Sequence, residues 1–180
     1  MKKELRDALE GVNEDFVSLV ILPSRGYKDL TMDILKVLTK KNKMEGAYVA
    51  MNSPYKVVNN LMKKNALKPD KLLFVDCVTA KDQKVDNCIF LRSLESLTHI
   101  GICLEPIYKI KKHEFIFLDS LNALSAYHGE KTIIRFVRFL IERMREHDLV
   151  GVIVALEEKT DKGIIGELAP LCDKVIDLTE

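Results

Sequence analysis

The sequence predicts an α/β fold in which helices flank a doubly wound, mainly parallel β-sheet. Five or six short strands alternate with stretches of helical periodicity along the chain. Parallel strands need long crossover connections, and such connections are usually helices. The strands are apolar almost throughout, which indicates that both faces of the sheet are covered. A length of 180 residues, without a repeat or a linker, predicts a single domain spanning residues 1–180.

The predicted strands are short apolar runs. They are Phe16–Leu22, Gly46–Met51, Lys71–Asp76, Glu114–Asp119, Leu149–Leu156 and Lys174–Leu178, with "NCIFL" (87–91) as a further extended candidate.

The predicted helices lie between these strands. Residues 1–13 form an amphipathic opening helix with Leu5, Ala8, Leu9 and Val12 on one face. The other helices follow the first strand, begin at Pro54, and span Ser93–Ile107 and Thr132–His147. We expect "EEKTDKG" (157–163) to be an exposed loop.

Composition indicates a cytoplasmic globular protein. The net charge is +1, and apolar and charged residues make up 47% and 31% of the chain. No apolar run approaches the roughly 20 residues that span a bilayer. The first residues alternate in charge, unlike a signal peptide. We expect no association with membranes.

Cysteine and histidine spacings predict neither a metal site nor a redox pair. The four cysteines are far apart and are expected to be free thiols in a reducing compartment. The four histidines have none of the close spacings that are typical of zinc ligands. Cys77 follows Asp76 at a strand end, but no neighbouring histidine supports a nucleophilic role.

Three motifs in order resemble the RecA superfamily, specifically archaeal KaiC-like proteins. They are "YVAMNSPYKVV" (48–58), "FIFLDSLNAL" (115–124) and "GVIVALEE" (151–158). The resemblance covers the chain from about Phe16 onward and implies a P-loop NTPase type of fold. It identifies "FIFLDSLNAL" with the family's Walker B strand, which ends at Asp119 and Ser120.

The loop after the first strand corresponds to the phosphate-binding loop of this family. A functional loop reads G-x-x-x-x-G-K-[ST], because its glycines let backbone N–H groups surround phosphate and its hydroxyl binds Mg²⁺. If Lys28 is the motif lysine, Leu22 and Tyr27 replace the two glycines and Asp29 replaces the hydroxyl residue. Gly26 lies one position too early. The loop is therefore predicted to be a degenerate phosphate site.

A second departure concerns the residues that activate the attacking water. The resemblance implies a pair of glutamates at the end of the second strand, where this chain has Asn52 and Ser53. An amide and a hydroxyl cannot act as a carboxylate general base. The vestigial nucleotide-site positions are thus Lys28, Asp29, Asn52, Ser53, Asp119 and Ser120. We expect no cofactor, and the alternative is Mg-ATP held by an irregular loop.

Each surviving residue also has an ordinary structural interpretation. Asp119 at a strand end is expected to accept backbone hydrogen bonds in the following turn. Lys28 is expected to be a solvated lysine near a helix start.

Basic clusters are interpreted in the same way. Several lysines end predicted helices, where they favour the negative end of the helix dipole: Lys40, Lys41, Lys43, Lys63 and Lys64. A further run comprises Lys109, Lys111, Lys112 and His113. Arg135, Arg138, Glu142 and Arg145 form one predicted solvated helix face. Without interleaved aromatic residues, these clusters do not predict nucleic-acid binding.

The resulting hypothesis is a catalytically inactive RecA-like domain that acts as a protein-binding or regulatory module in an archaeal cytoplasm. A divergent ATPase or ATP-binding switch is the main alternative, and a recombination-accessory protein that contacts nucleic acid is a third. The resemblance also implies self-association through sheet-flanking surfaces. We expect a homodimer or larger homo-oligomer in which the opening helix packs on a neighbour.

Overall fold

A central parallel sheet organises the molecule, as the sequence predicts, and it has seven strands where five or six are predicted. The computed structural model describes residues 3–13, 15–80, 84–91, 93–110 and 112–179. The strands are β1 (Val17–Leu22), β2 (Gly46–Ala50), β3 (Leu72–Asp76), β4 (Cys88–Phe90), β5 (Phe115–Asp119), β6 (Val150–Leu156) and β7 (Lys174–Asp177). Their order is β4-β3-β2-β5-β6-β1-β7, and every neighbouring pair is parallel. The predicted α/β fold is confirmed.

Helices cover both faces of this sheet. They are α1 (Lys3–Leu9), α2 (Tyr27–Lys36), α3 (Tyr55–Lys64), α4 (Leu97–Lys109), α5 (Glu130–Glu146) and α6 (Lys162–Leu168). A π-helical segment, Val37–Lys41, continues α2. Short 3₁₀ turns occupy Pro69–Lys71, Leu121–Ala126 and Ala169–Leu171. None of the described helices combines the length and the apolar character that crossing a bilayer requires.

The start of one predicted helix and the extent of one predicted loop need correction. The helix predicted from Ser93 begins at Leu97, because the side chain of Ser96 caps it by accepting the N–H of His99. The predicted exposed loop after Leu156 leads directly into α6, which the side chain of Asp161 caps through the N–H of Gly163. This helix escapes prediction because it is short and contains two glycines, which lower helix propensity.

The opening helix is shorter than predicted and is not free to pack on a neighbour. It ends at Leu9, and Gly11 has a φ of 78° that turns the chain out of the helix. Its apolar residues Leu5 and Leu9 are fully buried within the domain, where α1 packs on α2 and β7. The expectation that this face contacts a second copy is therefore wrong.

Alternate residues of the strands feed two separate apolar cores. Val20 and Phe74 point into the core beneath α1, α2 and α3. Leu19 and Val75 point into the opposite core, beneath α4, α5 and α6. Coverage of both faces explains why the strands are apolar without alternation. It also leaves the strand ends as the places where polar side chains converge.

Candidate functional site

The carboxyl ends of β1, β2 and β5 form the edge at which open α/β sheets bind ligands. Although β6 separates β1 from β5, the first turn of α2 reaches across to the ends of β2 and β5. A small cavity lies where these elements meet. It is lined by Tyr27, Lys28, Thr31, Met32, Tyr48, Ser53, Val58, Leu61 and Asp119.

The loop after β1 directs Tyr27 over this cavity. Gly26 has a φ of 79°, a left-handed conformation that glycine adopts at no steric cost, and Tyr27 is the first residue of α2. The Tyr27 hydroxyl lies 3.4 Å from Ser53 Oγ and accepts a 3.2 Å hydrogen bond from Asn52 Nδ2. Tyr27 therefore contacts both Asn52 and Ser53 at the end of β2.

A second tyrosine closes the floor of the cavity. Tyr48 lies on β2 beside β5, and its ring stacks on Phe117 with centroids 5.1 Å apart. Its hydroxyl donates a hydrogen bond to Asp119 Oδ2. Both Tyr48 and Asp119 are at least 98% buried. The aspartate at the end of β5 is thus engaged by a phenol from the neighbouring strand.

Burial dominates the electrostatics of Asp119. It raises the pKa of this carboxyl to about 6, while the hydroxyls of Tyr48 and Ser120 and the charge of Lys28 act in the opposite direction. Burial also raises the pKa of Tyr27 and, much more strongly, that of Tyr48. Both phenols are therefore protonated at neutral pH. Asp119 Oδ1 has no hydrogen-bond partner among the described residues.

The cavity beside Asp119 is much smaller than a nucleotide. The cavity has a volume of about 10 Å³. This is about the volume needed to hold one water molecule, whereas ligand pockets occupy roughly 300–1,000 Å³. The side chains of Tyr27 and Tyr48 fill this part of the sheet edge.

The structure brings together most of the predicted site positions. Lys28, Ser53 and Asp119 line the same cavity, and Asn52 joins it through Tyr27. Asp29 lies exposed in the first turn of α2 and is not part of the lining. The Ser120 hydroxyl donates at 2.6 Å to Asn122 Oδ1 in the turn that follows β5.

The ordinary interpretation describes Lys28, which is exposed in the first turn of α2, but it does not describe Asp119. The Asp119 carboxylate accepts from Tyr48 rather than from backbone N–H groups of the next turn. Lys28 is exposed, but it lines the cavity and its charge lowers the pKa of Asp119.

Sequence reasoning missed Tyr48. The signal was present, because a tyrosine inside an apolar strand must find a partner for its hydroxyl. Identifying that partner required the pairing of β2 with β5, which sets Ala50 beside Asp119.

Asp76 and Cys77, at the end of β3, form a structural turn. The Asp76 carboxylate accepts backbone N–H groups of Tyr55, Val78 and Thr79 and the Thr79 hydroxyl, at 2.6–2.9 Å. Burial, followed by the charge of Asp76, raises the pKa of the Cys77 thiol to about 12. A thiol in this state is a poor nucleophile. Within the described ranges, no group of three or more potential metal ligands occurs.

Solved structures that share this fold include two archaeal proteins. A KaiC-like protein from the hyperthermophilic archaeon Pyrococcus horikoshii OT3 matches with a TM-score of 0.68 and 13% identity, over 97% of this chain and 77% of that chain. The flagellar accessory protein FlaH from Methanocaldococcus jannaschii matches with a TM-score of 0.60 and 14% identity, over 95% and 75%. The RecA/KaiC-like fold that the motifs imply is confirmed. Identities this low show the fold alone.

Sequence comparison adds little beyond this. A family of unknown function, DUF7504, matches residues 111–178, from the approach to β5 through β7. A search of curated proteins gives no match.

Proposed function

We propose that this chain is a catalytically inactive RecA-fold domain that acts as a protein-binding or regulatory module. The observation that carries the proposal is the filling of the nucleotide region by Tyr27 and Tyr48. Only about 10 Å³ remains between the loop after β1 and Asp119. A triphosphate could enter only if both phenol rings moved.

The chemistry of the site supports the same conclusion. Leu22 is fully buried at the end of β1, where a phosphate loop needs glycine freedom. Asp29 adds a negative charge to the first turn of α2, where phosphate would otherwise be favoured. Asn52 and Ser53 supply no carboxylate base for an attacking water.

One observation favours the alternative of a divergent ATP-binding switch. Lys28 lines the same cavity as Asp119, as a phosphate lysine and a Walker B aspartate would. Tyr27 is only half-buried, and its hydroxyl contacts Asn52 and Ser53 at 3.2 and 3.4 Å. A rotation of Tyr27 would open the cavity on one side. Tyr48 would still occupy its floor.

A partly apolar surface supports the binding role. Ile102 on α4 is 60% exposed and Phe139 on the adjacent α5 is 42% exposed. A Cβ placed on Gly101 would lie 3.7 Å from the Phe139 ring, so the two helices meet at this point. We propose that these two exposed apolar side chains belong to one contact surface, because contiguous exposed apolar patches are typical of protein interfaces. We place the partner surface, whether for self-association or for another protein, on this α4–α5 face.

The basic clusters do not require a nucleic-acid partner. Lys40 and Lys41 end the π-helical segment, and Lys63 and Lys64 end α3. Cations at these positions offset the helix dipole. Lys111 lies outside the described residues. We therefore expect DNA binding no tighter than ordinary non-specific binding, and a sub-micromolar complex with a steep salt slope would favour the recombination-accessory alternative.

The test combines ATP turnover with thermal unfolding. Purified protein is incubated with millimolar Mg-ATP, phosphate release is followed, and melting is recorded by circular dichroism because the chain has no tryptophan. Lys28→Ala is compared with Lys56→Ala, since both lysines are exposed and occupy the second position of their helices. We expect no hydrolysis above the buffer control and no change of melting temperature in any of the three proteins. Saturating nucleotide would add about 2.7 kcal/mol of stability at a hundredfold excess over Kd.

A divergent ATP-binding switch would give a different pattern of melting shifts. A melting shift in Mg-ATP that Lys28→Ala abolishes and Lys56→Ala preserves would establish a working nucleotide site. Phosphate release with the same dependence would show an ATPase.

A further inference from the structure

A second, larger cleft lies at the opposite edge of the sheet, where β5 and β6 begin. Its volume is about 970 Å³, at the upper end of the range for small-molecule sites. The lining comes from the end of α4, the end of α5 and the segments that enter the strands. Four of the lining residues are Asn13, Met44, Leu149 and Val150. The others are one tyrosine, two lysines, two histidines and three acidic residues: Tyr108, Lys109, Lys112, His113, His147, Glu114, Glu146 and Asp148.

Tyr108 is the central aromatic residue of this cleft. It is only 3% exposed, yet its hydroxyl has no hydrogen-bond partner among the described residues. The His147 ring stacks on it at 5.6 Å, and the Arg143 guanidinium lies 5.4 Å from the ring centre. Burial raises the pKa of Tyr108, so its hydroxyl remains a proton donor. A buried hydroxyl without a partner is costly and is satisfied by any acceptor that reaches it.

His113 provides a second unpartnered polar atom. Its Nδ1 is buried and has no partner within the described ranges. Burial and the neighbouring charge of Lys112 lower the pKa of His113, so the ring is neutral at pH 7. A neutral imidazole can donate or accept at this nitrogen, depending on its tautomer.

Two lysines of the cleft are held only weakly by carboxylates. Lys109 Nζ lies 3.7 Å from a Glu105 oxygen, and Lys112 Nζ lies 3.9 Å from a Glu45 oxygen. Both lysine side chains are about two-thirds exposed, and such pairs contribute little. Glu105 is better satisfied by Arg143, which donates two hydrogen bonds to it at 3.0–3.1 Å. Both ammonium groups are therefore free to bind another anion.

Most of the acidic lining is already engaged. Glu114 accepts the N–H of Glu45 at 3.0 Å, and Glu146 is paired with Arg143. Asp148 has a φ of 57° and is exposed beside them. The charges of Asp148 and Glu114 oppose an anion in the cleft, whereas the charge of Glu146 is paired with Arg143.

We infer that this cleft binds a small molecule with an anionic oxygen group, either a carboxylate or a phosphate. The Tyr108 hydroxyl and the two lysine ammonium groups are donors for such a group, and His113 Nδ1 supplies a further polar contact. The partly exposed His147 ring, which stacks on Tyr108, provides an aromatic surface for the remainder of the ligand. The cleft lies at the edge of the sheet opposite the cavity around Asp119, so this inference is independent of whether the chain binds ATP.

The test uses sodium benzoate and inorganic phosphate as separate probes. Histidine ring resonances are followed by NMR at pH 7 during titration to about 20 mM, with sodium chloride at matched ionic strength as the control. We expect saturable shifts of the His113 and His147 signals with at least one probe and no saturable shift with chloride. Benzoate binding alone identifies a carboxylate ligand, and phosphate binding alone identifies a phosphate ligand.

Variants link the binding to named side chains. The pair Lys109→Ala/Lys112→Ala should weaken probe binding by about tenfold, and Tyr108→Phe should weaken it severalfold. The matched pair Lys63→Ala/Lys64→Ala, at the end of α3, should leave it unchanged. Asp148→Asn should strengthen binding, because it removes an opposing charge and asparagine tolerates a left-handed backbone. The surface variants decide the outcome even if Tyr108→Phe unfolds.

Two results would overturn the inference. One is the absence of a saturable histidine shift with either probe. The other is a shift that sodium chloride reproduces, or probe binding that Lys109→Ala/Lys112→Ala and Lys63→Ala/Lys64→Ala weaken equally. The effect would then be general screening of charge.

Discussion

The Tyr48 hydroxyl donates a hydrogen bond to the Asp119 carboxylate across the β2–β5 pair, with both side chains buried. In the KaiC-like family that the motifs resemble, the aspartate at this position belongs to the Walker B strand. Here the hydrogen-bond partner of Asp119 is the phenol of Tyr48, in the same domain. The interaction makes Asp119 part of the core, and it can be tested by the stability of the fold.

Removal of the Tyr48 hydroxyl should destabilise the domain. Tyr48→Phe keeps the ring stacked on Phe117 but leaves Asp119 buried without its donor, which should cost about 1–3 kcal/mol. Tyr55→Phe is the matched control, because Tyr55 also packs on Phe74 but its hydroxyl makes only a 3.4 Å contact with Asn87. Urea unfolding followed by circular dichroism gives both values. Equal losses of unfolding free energy in the two variants would show that the hydrogen bond from Tyr48 to Asp119 does not stabilise the fold.

The stability of the domain should depend on the ionisation of Asp119. Its pKa is raised from an ordinary 3.8 to about 6, chiefly by burial. A carboxyl with a raised folded-state pKa contributes stability that is complete below pH 4 and is lost as the pH rises through about 6. The loss should be on the order of 2–3 kcal/mol.

Asp119→Asn isolates this effect because an amide does not titrate. The stability of the wild type relative to Asp119→Asn should fall between pH 4 and pH 7.5. A difference that stays constant over this interval would show that the carboxyl has an ordinary pKa in the folded protein.

Arg145 joins the end of α5 to the entries of β1 and β7. Its guanidinium donates to Asp15, to the Leu171 carbonyl and to Asp173 at 3.0–3.1 Å, and Asp173 in turn accepts the N–H of Val17 at 2.8 Å. Arg145→Lys keeps the charge but loses the fork of donors, and we expect a loss of about 1–2 kcal/mol.

Arg138→Lys is the control for this substitution. Arg138 lies exposed on the same helix, so its replacement should change the free energy of unfolding by less than about 0.5 kcal/mol. Denaturant titrations of the three proteins supply the comparison. If Arg145→Lys lowers the free energy of unfolding no more than Arg138→Lys does, the contacts of Arg145 contribute nothing to stability.

Self-association should depend on the α4–α5 face. We expect light scattering at micromolar concentration to give a mass above the 20.5 kDa of one chain. The double variant Ile102→Glu/Phe139→Glu should shift the mass to that of a monomer, whereas Val57→Glu, at an exposed apolar position on α3, should not. A wild-type protein that is entirely monomeric would remove self-association from the proposal.

The strands of the sheet are predicted well because a buried strand is a continuous apolar run in the sequence. Continuous apolar runs such as Phe115–Leu118 require cover on both faces, whichever strands are their neighbours. Strand pairing is a property of the whole chain. The contact between Tyr48 and Asp119 therefore could not be read from positions 71 residues apart.

The long helix shows the same limit at its surface. Periodicity predicts α5 almost to its ends, but it assigns Arg145 to a solvated face together with Arg135 and Arg138. The structure places Arg145 against Asp15 and Asp173, which lie far away in the sequence. The spacing of residues along a helix shows which of them share a face. It does not show which other parts of the fold that face contacts.

Equilibrium dialysis of Mg-ATP against the wild-type protein measures directly whether the region around Asp119 holds a nucleotide. We expect no saturable binding up to millimolar nucleotide, because Tyr27 and Tyr48 leave space for about one water molecule beside Asp119. Lys28→Ala and Lys56→Ala should be indistinguishable from the wild type. Saturable binding with a stoichiometry near one, lost in Lys28→Ala and retained in Lys56→Ala, would contradict the account.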